Sequence, residues 1–178
     1  MSYALCIWDP TRHTPLPTSA GEALEIVERL GSMPDGRNPT LGAFASTLIQ
    51  RYEAKPSEGE LPGAEAFWGA DLRKETSECR SAVYRLELPT ESLEQLVFVV
   101  EAGARHGLAV FDDEMGMCFL PDGTVFPEDA REMWASNLAE LRAGPPDPNA
   151  VTPDSRTLLQ KVAGELFDAI GRGNKRMF

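Results

Sequence analysis

Apolar and polar positions follow two different periods along this chain, and the alternation of the two predicts a mixed α and β protein. Residues 3–8, Tyr3-Ala-Leu-Cys-Ile-Trp8, are almost continuously apolar and rich in β-formers. This is the pattern of a central strand covered on both faces, and Asp9-Pro10 ends it. Ser19-Ala-Gly-Glu22 has the spacing of a capping box, in which a hydroxyl and a carboxylate three residues later satisfy free amides at a helix start. Ala23, Leu24, Val27 and Leu30 then recur at helical spacing up to a stop at Gly31. Asn38-Pro39 offers an N-cap followed by proline at the first helical position, and Leu41, Phe44, Ala45, Leu48, Ile49 and Tyr52 form one buried stripe behind it. Residues 81–88 alternate, with Ala82, Tyr84, Leu86 and Leu88 on one face and Val83, Arg85 and Glu87 on the other, as in a half-buried strand. Ser92-Leu-Glu-Gln95 is a second capping box, opening a helix whose stripe is Leu93, Leu96, Val97, Val100 and Ala104 and whose end is Gly107.

Beyond Gly107 the period returns to two. Residues 108–111 read as a strand, Asp112-Asp-Glu-Met-Gly116 as an acidic turn and 117–120 as a second strand. Asp122-Gly123 favours the positive φ angles of a type I′ hairpin turn, so 124–126 is expected to continue the sheet. After Pro127 a helix is predicted with the stripe Ala130, Met133, Trp134, Leu138 and Leu141. Gly144-Pro-Pro-Asp-Pro148 is a Pro-rich linker to a last helix, which begins at Thr152-Pro153 and ends at Gly171 before a basic tail. The least regular stretch is 54–80, where only Ala66-Phe67-Trp68 looks like a strand. The order strand, two helices, strand, strand, helix, strand gives a βαββαβ arrangement, related to the ferredoxin-like one, with one extra helix in the first crossover. The expected fold is therefore α+β, an antiparallel-rich sheet with helices packed mainly on one face, extended by a hairpin. In domain terms this is an α+β domain over 1–126 and a helical extension over 127–178 packed on it. The first strand and 108–111 should be antiparallel neighbours, leaving Asp9 and Asp112 at opposite ends of the sheet.

Composition changes this picture only where charge and chemistry are concerned. At 178 residues, 42% hydrophobic and 25% charged, the chain suits a globular protein that needs no disulfide or structural metal. No apolar run reaches the about 20 residues of a membrane span, and the N-terminus has no basic region ahead of its apolar stretch, so a cytoplasmic location is expected. Cys6, Cys79 and Cys118 are widely spaced without a C-x-x-C pair and are expected as free thiols. The net charge is −11, and residues 1–126 hold 10 Lys/Arg against 20 Asp/Glu whereas 127–178 hold 7 against 8. Such a field repels nucleic acid and anionic membranes and speeds encounter with a basic partner.

No nucleophile elbow, phosphate-cradling loop or H-E-x-x-H pattern is present, and no cofactor is implied. His13 falls in a polar loop and His106 at a helix C-terminus, where imidazolium complements the dipole. The run Asp112, Asp113, Glu114 is the densest acidic cluster, but neighbouring residues of a strand point to opposite faces, so a solvated turn or a partner contact is expected, with no metal. In the long 54–80 segment Trp68, flanked by Glu65 and Asp71, is a second candidate contact, or a buried anchor for the loop.

Tyr3-Ala-Leu-Cys-Ile-Trp-Asp9, the helical middle, the helix over 92–104 and Gly107-Leu-Ala-Val-Phe-Asp112 together resemble a group of small bacterial proteins. Several members of that group are predicted immunity proteins of polymorphic-toxin and type VI secretion systems. The resemblance covers roughly residues 1–125 and leaves 127–178 unmatched. It implies a non-catalytic cytoplasmic protein that neutralises a cognate toxin by binding it; the chain's acidity is consistent with a basic toxin whose substrate channel acidic residues would block. Two other classes fit the same residues: a small enzyme or ligand-binding domain using the sheet edge and the 54–80 loop, and an adaptor that forms a homodimer through its C-terminal helices.

Overall fold

The computed structural model describes residues 3–13, 15–53, 68, 71–88 and 92–143. Within them a five-stranded antiparallel sheet and six helices make an α+β fold. The strands are β1 (Tyr3–Trp8), β2 (Val83–Leu88), β3 (Ala109–Asp112), β4 (Met117–Phe119) and β5 (Val125–Phe126). The helices are α1 (Pro10–His13), α2 (Ala20–Gly31), α3 (Pro39–Glu53), α4 (Leu72–Glu78), α5 (Leu93–Arg105) and α6 (Ala130–Ala143). Across the sheet the order is β2-β1-β3-β4-β5.

The unbroken apolar run of β1 is explained by its central place. All six residues are buried, with β2 on one side (Tyr3 opposite Leu88, Trp8 opposite Val83) and β3 on the other (Leu5 opposite Asp112, Trp8 opposite Ala109). The expected antiparallel pairing of the first strand with residues 108–111 is thus present, and Asp9 and Asp112 lie at opposite ends of that pairing. Tyr3, Leu5 and Ile7 enter the larger core with side chains of α3, α4, α5 and α6, whereas Cys6 and Trp8 enter a smaller core closed by Ala23, Ile26 and Leu30 of α2. Helices therefore lie mainly on one face, with α2 on the other. Leu5, Ile7 and Trp8 are fully buried, and burial of such side chains contributes roughly 2 kcal/mol each.

The other helices join the sheet through specific contacts. Gly103 of α5 approaches β3 so closely that a Cβ there would lie 2.8 Å from Val110 Cγ2, so the helix rests on the strand through its backbone. Trp134 of α6 packs on Phe119 of β4, ring centroids 4.6 Å apart, while Leu141 at the far end of that helix stays exposed. No helix among the described residues is long and apolar enough to cross a membrane.

Four local expectations are corrected. Trp68 is helical, not the end of a strand, and the irregular stretch contains α4. Only Leu72 and Thr76 of α4 are buried, a pair four residues apart that leaves no stripe to read. Ser92 caps α5 by position but its side chain makes no capping bond. At the start of α2, Ser19 Oγ does accept from Glu22 N (3.2 Å), but the Glu22 carboxylate reaches back to Thr18, accepting from its N at 2.7 Å and its Oγ1 at 2.8 Å. The turn at 121–123 is not type I′, because that type needs positive φ at both central residues and here Gly123 has it (φ 87°) while Asp122 does not. Gly123 N donates to Leu120 O and Leu120 N to Thr124 O, which still brings β5 onto β4. The side chains of His13 and Tyr52, residues 66–67, the linker 144–148 and the last helix and tail lie outside the described residues.

Candidate functional site

The acidic run divides by burial. Asp112 ends β3 with its side chain on the face occupied by Val110, and it is fully buried. Its Oδ1 accepts from the backbone N of Glu114 (3.1 Å) and of Met115 (3.0 Å), and its Oδ2 accepts from the Tyr3 hydroxyl. Burial raises the Asp112 carboxyl to about 6, against the pull of these three bonds, which favour the charged form. A carboxylate enclosed in this way is not presented to a docking partner. It holds the loop instead, and Asp113 and Glu114, both exposed, stand at the tip before Gly116 closes the turn at φ 62°. Exposed acid at this tip therefore comes from two residues, not three.

The candidates in the long segment are separated in a similar way. Trp68 is buried in the larger core, and Asp71 is exposed and caps α4, its Oδ1 accepting from Lys74 N at 3.1 Å. Glu65 lies outside the described residues. The structure thus gives Trp68 and Asp71 structural contacts and does not bring either to the hairpin tip in any described contact.

A polar cavity that the sequence did not point to lies between the start of α3 and α4. It measures about 340 Å³ and is lined by Arg37, Asn38, Ser46, Arg73, Thr76 and Ser77, with Pro39 and Gly42 completing the α3 side. Its walls are fixed from several directions. Asn38 Oδ1 accepts from Thr40 N (2.9 Å), and Asn38 Nδ2 lies 3.5 Å from Oδ2 of Asp9, the residue that follows β1. Met33 and Asp35 pair through their backbones with Ala82 and Arg80 at the entry to β2. On the opposite wall Leu72 is buried, and Glu75 accepts from the Tyr84 hydroxyl of β2 at 2.9 Å. The nearby carboxylates have partners of their own: Asp35 pairs with Arg12 at 2.9 Å, and Asp9 accepts from Thr11 N and Oγ1. The one available signal was Arg37 immediately ahead of a helix cap; its meeting with Arg73 depends on how α3 and α4 pack.

Remaining reactive groups have structural surroundings. Cys6 and Cys118 are buried and free, and burial pushes both thiols up, Cys118 to about 12, which keeps them from acting as thiolates. His106 sits at the α5 C-cap, its Nε2 2.8 Å from Thr47 Oγ1 of α3 and its ring edge-on to Phe44. Among the described residues no three His, Cys, Asp or Glu side chains gather as a metal site requires. Comparison with models of known protein families, with curated proteins and with solved structures gives no match.

Proposed function

We propose that the protein works by binding, as a non-catalytic cytoplasmic immunity protein that neutralises a basic toxin of a bacterial secretion system. The observation that carries this reading is the hairpin tip: Asp113 and Glu114 are exposed on a loop whose backbone is held by the buried Asp112. A charged tip ordered before contact loses little conformational freedom on binding, and its charge steers a basic partner. The excess of acid in 1–126 supports the same reading, since it extends that attraction over the sheet-bearing part of the chain. A ferredoxin-like relation of the sheet goes with this proposal and is supported by the central place of β1 between β2 and β3.

The test is co-expression with the product of the adjacent gene, followed by co-purification and growth rescue. The parent chain is expected to rescue and co-purify. Asp113→Lys combined with Glu114→Lys is expected to lose both while melting at the parent's temperature, because neither side chain supports the loop. Failure of the parent to co-purify or rescue overturns the reading; an unaffected double variant moves the interface away from the tip.

A further inference from the structure

The two edges of the sheet are unequal. β5 is two residues long and lies against α6, whereas β2 presents six residues, Val83–Leu88, on the opposite edge. An edge strand of that length carries backbone donors and acceptors suited to another strand. The bonds at its start show which of its groups face outward. Val83 N donates to Ser81 Oγ at 3.2 Å and Val83 O lies 3.8 Å from Cys79 Sγ, so neither group turns to β1. Backbone groups of an antiparallel strand alternate between its two sides, which puts the N–H and C=O of Arg85 and Glu87 on the outer side with those of Val83. Among the described residues these groups of Arg85 and Glu87 have no hydrogen bond, and the two exposed side chains have no ion pair.

Charge and backbone select one way to pair this edge with itself. Two copies related by a two-fold axis normal to the sheet keep their faces, so residues of the same parity stand opposite one another. With the axis at Leu86, Arg85 faces Glu87 of the second copy and Glu87 faces Arg85 of the second copy. Each such pair exchanges two N–H···O bonds, so the outward groups of both residues are satisfied, and two opposite-charge pairs form on the exposed face. With the axis at Arg85, two guanidinium groups oppose and Glu87 meets Val83, whose backbone groups are already taken. With the axis at Glu87, two carboxylates oppose and Arg85 meets Pro89, which has no N–H. We infer that β2 pairs antiparallel with β2 of a second copy of this chain about Leu86, joining two five-stranded sheets into one. This interface is separate from the hairpin tip between β3 and β4, and its failure would leave the immunity reading untouched.

Sedimentation velocity on the full chain should show a dimer fraction that rises with concentration. R85E and E87R each set like charges against one another in both pairs, and each is expected to raise the dissociation constant about tenfold. Mixed in equal amounts, the two variants restore both opposite-charge pairs, so native mass spectrometry should show a heterodimer at concentrations where neither variant pairs with itself. The double variant R85E/E87R should dimerise like the parent. Because both side chains are exposed, each single variant should melt as the parent does when dilute. A parent that stays monomeric at every concentration overturns the interface, as do single variants that dimerise as tightly as the parent or a mixture without the heterodimer. If a variant fails to fold, hydrogen exchange on the parent decides. The amides of Arg85 and Glu87 should exchange more slowly in concentrated than in dilute solution, and exchange independent of concentration overturns the pairing.

Discussion

Two aspartates introduce the two hairpin turns of the sheet, and they behave in opposite ways. Asp112 Oδ1 accepts from Glu114 N at 3.1 Å, and Asp122 Oδ1 accepts from Thr124 N at 2.9 Å, the same bond two residues ahead. Each turn then closes on a glycine with positive φ, Gly116 or Gly123. Yet burial raises the Asp112 carboxyl to about 6, while the bonds from Thr124 lower the exposed Asp122. Asp112 makes more hydrogen bonds than this shared one, so bond count does not explain the direction. Loss of water around the carboxylate outweighs three donors, and the same local motif becomes an anchor at one turn and a surface cap at the other.

The largest effect should come from removing the anchor. Asp112→Ala leaves the Tyr3 hydroxyl and the Met115 amide without this acceptor inside the protein, at roughly 1–3 kcal/mol for each buried donor, so a loss of about 4 kcal/mol at pH 5 is expected in denaturant unfolding. Asp112→Asn isolates the charge. The unfolded carboxyl releases its proton near 3.8 and the folded one near 6, so between those values the folded chain binds the extra proton. Stability contributed by this group is therefore greatest at low pH and falls as pH rises through about 6, by on the order of 3 kcal/mol in all. The Asn variant should lose that decline, and parallel pH profiles for parent and variant would break the contrast between the turns.

A smaller effect is expected at the donor. Tyr3→Phe removes the hydroxyl that favours the charged form of Asp112, costing about 2 kcal/mol at pH 7.5 and less at pH 5, where the carboxyl is neutral. The Asp112 titration, followed by carboxyl NMR, should move upward. A downward move would mean that the Tyr3 bond does not stabilise the carboxylate.

The same contrast marks how far the sequence could be read. The unbroken run of β1, the stripe of α3 and the alternation of β2 from Tyr84 to Leu88 each carry the period of their element and formed where that period placed it, whereas Ala82, expected on the face of Tyr84, packs with the buried Val83 in the smaller core. Asp112-Asp113-Glu114 reads as solvated acid because composition does not say where a strand stops. With β3 ending at Asp112, the period of two places that side chain on the Val110 face, inside the core. The helix α4 stayed hidden because a short element with Leu72 and Thr76 as its buried pair has no amphipathic stripe. The cavity was out of reach for a different reason: Arg37 and Arg73 belong to separate elements, and only tertiary packing brings them to one opening.

The smallest effect is expected at the second turn, where its sign also separates the two sites. Asp122→Ala removes a bond to Thr124 N from an exposed loop, and water can take over both groups, so a loss of about 0.5 kcal/mol at pH 7 is expected. Because the folded Asp122 carboxyl is lowered, its contribution is present above the ordinary carboxylate range and fades as pH falls through the folded value. The cost of Asp122→Ala should thus shrink on acidification, whereas the cost of Asp112→Ala grows. Unfolding curves for both variants at pH 4 and pH 7.5 make the comparison directly. Costs that change in the same direction would show that burial does not distinguish the turns, and that the extra bonds at Asp112 decide its behaviour.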